Sequence, residues 1–150
     1  MKSTRINVLV HFVWTTWDKL PILQDDIRRA VYRYIWSTVE ACGCKPVAIG
    51  GTEDHVHLLV EMSASVSLSV LVKKVKGASS RIVSKELRPE DWFAWQGGYG
   101  AFSVSPRDRT MIVNYIENQE EHHKYGGLIE LYEPEANNTN TEHLPQDPAD

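Results

Sequence analysis

Thr52-Glu53-Asp54-His55-Val56-His57-Leu58-Leu59-Val60 is the stretch on which the reading of this chain turns. Its second half is apolar and rich in β-formers, which predicts a strand over 55–61. A second strand is expected over 46–50, and the polar connection Thr52-Glu53-Asp54 between them suggests an antiparallel hairpin. Strand side chains alternate faces, so His55 and His57 point the same way while Val56 enters the opposite layer. Two imidazoles at that spacing on a rigid strand can grip one divalent ion.

Working outward, residues 5–14 read as a central strand and 15–21 as a loop. Residues 24–42 carry Ile27, Val31, Ile35 and Val39 at helical spacing. Asp25 and Asp26 sit in the first turn of that helix, where the dipole favours acids, and Gly43 follows its end. A second helix is expected over 67–87, with Gly77 a weak point, followed by an aromatic, glycine-rich loop over 88–100 and a short strand over 101–104. Ser105 as N-cap, Pro106 at the first helical position and Asp108 as cap partner open a third helix running to about residue 124. The order β-α-β-β-α-β-α predicts an α+β domain. Its first six elements match the ferredoxin-like split βαβ arrangement, an antiparallel sheet with two helices on one face, and the last helix carries a tyrosine. In that layout His55 and His57 lie on the uncovered, wetted face.

Asn114-Tyr115-Ile116-Glu117-Asn118-Gln119 places a tyrosine and an amide four apart, on one face of the third helix. A metal, a tyrosine and an amide together suggest phosphoryl transfer through the tyrosine. Taken singly, such a tyrosine is more often a half-buried helix aromatic and such a glutamine more often a solvated surface residue. The pair His122-His123 fits the helix C-terminal dipole better than ligation, and His11 reads as structural.

At 150 residues and 42% hydrophobic content the chain is long enough for one domain with a real core. It has no apolar run near the roughly 20 residues that span a bilayer and no signal-like N-terminus. Cys42 and Cys44 read as two reduced thiols at a turn. The formal charge of −4 is unevenly distributed: 130–150 holds six acids and no Lys or Arg, leaving 16 basic against 14 acidic residues in 1–129. The expected organisation is therefore a folded domain over 1–129 and an acidic, disordered tail over 130–150. Lys73, Lys74, Lys76 and Arg81 form a basic stripe suited to phosphates. Trp95, Gln96 and Tyr99, in an aromatic run with Trp92 and Phe102, offer faces on which unpaired bases could stack, the alternative being a loop packed over the sheet edge.

Several stretches together resemble the HUH single-tyrosine transposases of the insertion-sequence-200/605 type. They are His11-Phe12-Val13-Trp14-Thr15-Thr16, Asp54-His55-Val56-His57-Leu58-Leu59, Lys76-Gly77-Ala78-Ser79-Ser80-Arg81, the run from Trp95 to Ser105, and Tyr115 through His123. The resemblance covers residues 5–125; the acidic tail matches nothing in the family. It implies His55 and His57 as metal ligands, Gln119 as a third, and Tyr115 as the nucleophile. It also implies cleavage of single-stranded or hairpin DNA to a 5′-phosphotyrosine link and a free 3′-hydroxyl, then rejoining. Mg²⁺ or Mn²⁺ suits two imidazoles and an amide oxygen with open positions, although imidazoles alone would also accept Zn²⁺. A homodimer acting in a prokaryotic cytoplasm, on the nucleoid, belongs to the same expectation. Two other readings stand beside it: a domesticated hairpin-DNA binder that mobilises nothing, and a metal-dependent hydrolase. The latter is weakened because Leu58 and Leu59 follow the histidines where such motifs want further ligands.

Overall fold

The structure, a computed structural model, describes residues 3–134. Four strands form one antiparallel sheet in the order β2-β3-β1-β4: β1 (Leu9–Thr15), β2 (Lys45–Gly51), β3 (His55–Glu61) and β4 (Gly100–Val104). Helix α1 (Asp25–Ala41) joins β1 to β2, and α2 (Leu68–Ile82) joins β3 to β4. This is the split βαβ topology expected from the element order.

Alternation along the two central strands divides the interior. Val10, Phe12 and Trp14 of β1 and Val56, Leu58 and Val60 of β3 face α1 and α2, whose apolar stripes (Ile27, Val31, Ile35, Val39 and Leu71, Val72, Val75) complete the main core. Leu9 and Leu59 face the other way, into a smaller cluster with Ala48, Val104, Ile112 and Ile116. The last two belong to α3 (Arg109–Glu117), so the second face of the sheet is covered rather than wetted. His55 and His57 are accordingly buried, at 2% and 0% exposure.

Several boundaries differ from expectation for local reasons. Residues 3–8 are exposed and precede β1. Gly77 leaves α2 intact, and α2 ends in a π-type turn, Val83–Leu87. Ser67 caps α2 by accepting from the Val70 N–H. Ser105 makes no such side-chain bond, and Pro106–Asp108 form a 3-10 turn before α3 begins. The third helix is broken at Asn118 (φ −112°, ψ 31°), after which α4 (Gln119–Tyr125) sets off separately. Cys42 and Cys44 are free thiols flanking Gly43, whose φ of +81° makes the turn. The boundary expected at 129/130 falls inside ordered chain. Glu130–Tyr132 form a 3-10 turn, and the segment packs over the covered face. The part of the expected tail from 135 to 150 lies outside the described residues.

Candidate metal and tyrosine centre

β3 presents His55 and His57 toward α3. Three elements then close around them, and one glycine decides how near they come. A Cβ on Gly50 would stand 2.0 Å from the Ile116 carbonyl oxygen, so only glycine lets α3 lie this close to the sheet. That approach puts Tyr115 and Gln119 over the histidines.

The polar atoms of this centre are mostly fixed. His55 Nδ1 lies 2.6 Å from Asp54 Oδ1 and 3.0 Å from Thr52 Oγ1, which turns its Nε2 inward. Gln119 Nε2 donates to the Tyr115 carbonyl (3.2 Å), so its Oε1 faces His55 Nε2 at 3.3 Å and His123 Nε2 at 3.2 Å. His57 Nδ1 pairs with His11 Nε2 at 2.9 Å across neighbouring strands. His57 Nε2 is buried and makes no hydrogen bond among the described residues. Glu133 reaches in from the C-terminal segment, with Oε2 3.3 Å from His55 Nε2 and Oε1 3.5 Å from His57 Nε2. The Tyr115 hydroxyl donates to Glu133 Oε1 and accepts from the Ile129 N–H at 3.0 Å. Its ring stacks on His122 and meets His57 edge-on.

Electrostatics follow from this packing. Burial opposes protonation of His55, but the hydrogen bonds that the protonated ring donates to the Asp54 and Glu133 carboxylates outweigh it and raise its pKa to about 9. Burial and the neighbouring His55 charge pull His57 down, against the pull of Glu133. Burial lowers His11 to about 3, with His57 adding to the effect. Burial also raises Tyr115 to about 12, helped by its bond to Glu133. Glu133 is depressed despite burial, because His55 and the Tyr115 hydroxyl hydrogen-bond its charged form and His57 stands beside it.

An imidazole nitrogen buried without a partner, a second imidazole oriented by a carboxylate, and an amide oxygen aimed at that second imidazole are what a divalent cation needs. His55, His57 and Glu133 offer atoms all within 4.8 Å of one another. The residues fit a metal.

The DNA-contact candidates divide. Lys73, Lys74 and Arg81 are exposed on α2, across the sheet from the histidines. Lys76 is spent within the fold. Its ammonium donates to the Gln96 (2.7 Å) and Gly98 (3.0 Å) carbonyls, and burial lowers its pKa to about 8. Trp95 is inward, 5% exposed, with its ring against Trp14 and Phe93 and its N–H on Ser79 Oγ, so it has no face to give a base. Gln96 is also buried, its side-chain oxygen accepting from the Asp18 N–H. Tyr99 (40% exposed) and Trp92 remain open. Tyr99 lines a groove of about 780 Å³ with Gln96, Phe102, Tyr132 and Glu133, running from the aromatic loop to the C-terminal segment at Glu133.

His11, which the sequence reads as structural, pairs with His57 and so orients it. One contributor carries no signal in the sequence. Glu133 lay in the presumed tail, and no spacing rule links it to residues some eighty positions earlier.

The profile of the family described as "Transposase IS200 like" matches residues 4–119, more than three quarters of the chain. The chain belongs to the IS200-like transposase family. The transposase is 25% identical over 114 residues to the ISDra2 transposase TnpA of Deinococcus radiodurans, covering 73% of this chain and 81% of that one. Its fold matches a crystal structure described as a transposase from D. radiodurans R1, with a TM-score of 0.62, 28% identity, and coverage of 79% and 98% of the two chains. It also matches a REP-associated tyrosine transposase bound to a REP hairpin (TM-score 0.61, coverage 85% and 76%); at 13% identity that likeness is one of fold alone. Membership of the family makes the transposase a DNA-acting, DNA-cleaving protein. No helix among the described residues is long and apolar enough to cross a membrane.

Proposed function

We propose that this transposase binds single-stranded or hairpin DNA at element ends and cleaves it with Tyr115, leaving a 5′-phosphotyrosine link and a free 3′-hydroxyl. It then reverses the step to join new ends. The observation that carries the reading is the convergence of the Tyr115 hydroxyl, His55, His57 and Gln119 at one buried point.

His55 and His57, each turned inward through Nε2, and Gln119 through Oε1 would hold Mg²⁺ or Mn²⁺. The chemistry such a cation would supply is polarisation of the scissile phosphate and compensation of charge on the leaving oxygen. Tyr115 supplies the nucleophile. A new bond forms between its oxygen and phosphorus while the bond from phosphorus to the 3′-oxygen breaks; the phenol loses its proton and the 3′-oxygen gains one. An unassisted phenol ionises near pH 10 and burial here makes that harder, so the phenol proton has to be drawn off as the bond to phosphorus forms. The phosphodiester energy is kept in the phosphotyrosine, so rejoining requires no ATP.

Lys73, Lys74 and Arg81 serve the DNA backbone, and Tyr99 stacks on unpaired bases at the groove mouth. The protein works as a homodimer in the cytoplasm, on nucleoid DNA.

The test is a covalent adduct. Protein, Mg²⁺ and labelled single-stranded element ends should give a phosphotyrosine-linked species that Tyr115→Phe abolishes while hairpin binding stays close to wild type. An adduct persisting in Tyr115→Phe would overturn the assignment.

A further inference from the structure

Glu133 lies beyond the 4–119 span that defines the family match, in the strongly acidic end of the chain. Yet its side chain, 11% exposed, stands between His55, His57, His123 and the Tyr115 hydroxyl. Resting on the metal reading above, we infer that Glu133 is itself a metal ligand and supplies the one anionic oxygen of the site.

The chemistry of the donors argues for it. Two imidazoles and an amide are neutral and bring a single oxygen, whereas Mg²⁺ and Mn²⁺ take carboxylate oxygens by preference. A carboxylate taken out of water is costly unless it is paired, and in this centre a dication is the strongest partner available. Both Glu133 oxygens already face the ligand nitrogens, at 3.3 Å from His55 Nε2 and 3.5 Å from His57 Nε2, and the latter nitrogen has no hydrogen bond among the described residues.

The segment is held in place to do this. The Tyr132 ring packs on His11 (4.7 Å between centroids) and Phe102 (5.3 Å), and the Ile129 N–H donates to the Tyr115 hydroxyl. Glu133 and Pro134 line both the 780 Å³ groove and a 490 Å³ cleft on the other side, bordered by Asp54, His55 and His123. The C-terminal segment is thus the wall between two approaches to the metal. Because the Tyr115 hydroxyl donates to Glu133, the same carboxylate seats the phenol beside the ion.

The experiment is a Mn²⁺ titration of the full chain, followed by the electron paramagnetic resonance of the free ion, with no DNA present. Glu133→Gln keeps the shape and removes the charge; its affinity should fall about tenfold or more, as should that of His57→Ala. The loss should be larger for Mn²⁺ than for Zn²⁺, which depends less on oxygen donors. Tyr132→Ala, which frees the segment without touching a ligand, should weaken Mn²⁺ in the same direction and guards against misfolding of the Gln variant. Unchanged or tighter Mn²⁺ binding in Glu133→Gln, with His57→Ala impaired, would overturn the role of Glu133 and leave the histidine reading standing. A wild-type protein that takes no Mn²⁺ would remove both.

Discussion

His57 is buried with one ring nitrogen tied to His11 and the other turned into the centre. A neutral imidazole that offers Nε2 to a cation must carry its proton on Nδ1, so His11 Nε2 has to accept. The His11 proton then sits on Nδ1, an atom that is buried and makes no hydrogen bond among the described residues. His11 is therefore a positioning residue, and it bears an energetic cost for the orientation of its neighbour. His11→Ala should reduce Mn²⁺ affinity by about 10–100-fold, and His11→Gln, which restores an acceptor, should recover part of it. Unaltered affinity in His11→Ala would reduce His11 to a packing role. Burial also sets what substitution of the two β3 histidines costs. On an open face their loss would hardly touch stability. At 2% and 0% exposure, His55→Ala and His57→Ala each leave a cavity beneath α3 and should melt lower than wild type.

α3 owes its position to β2. Gly50 pairs with His57, and a side chain there would run into the backbone of Ile116. Gly50→Ala should push α3 outward, cost about 1–3 kcal/mol as overpacking does, and slow adduct formation by about a hundredfold, since a shift near 1 Å is enough to misalign Tyr115. Thermal melting and single-turnover cleavage measure the two effects; a variant that keeps wild-type cleavage would show that the glycine serves packing only. α4 is held independently, Arg28 of α1 reaching Glu120 at 2.6 Å. The break at Asn118 lets Gln119 aim at His55 while its amide still donates to Tyr115. The start signals at Ser105, Pro106 and Asp108 predict a single helix to about residue 124, so neither the 3-10 start nor this break was legible. Both arise where the chain bends over the sheet to follow its partners.

Across the whole molecule the sheet separates two chemistries, with Lys73, Lys74 and Arg81 exposed on the α2 side and the histidine centre under α3. On the β4 side of the sheet, between the two, Tyr99 stands at the groove. Because Lys76 is committed to the aromatic loop, the informative triple variant is Lys73→Ala, Lys74→Ala, Arg81→Ala. It should weaken single-stranded and hairpin DNA across sequences and flatten the log–log salt dependence by about 0.7 per lost phosphate contact. An unchanged slope would place the DNA elsewhere. The element order, the split βαβ layout and the pairing of His55 with His57 were determined by the sequence alone. They rest on local periodicity, and a period of two or 3.6 is written in neighbouring residues. Tyr115 and Gln119 were legible as a pair because four residues make one helical turn. Trp95, Gln96 and Lys76 were not separable from true surface groups, since inward and outward faces look alike in an aperiodic loop. His11 and Glu133 were decided only by the tertiary structure. The pairing of His11 with His57 depends on the β1–β3 register, and Glu133 depends on where the chain returns after α4, distances in space to which no local spacing corresponds.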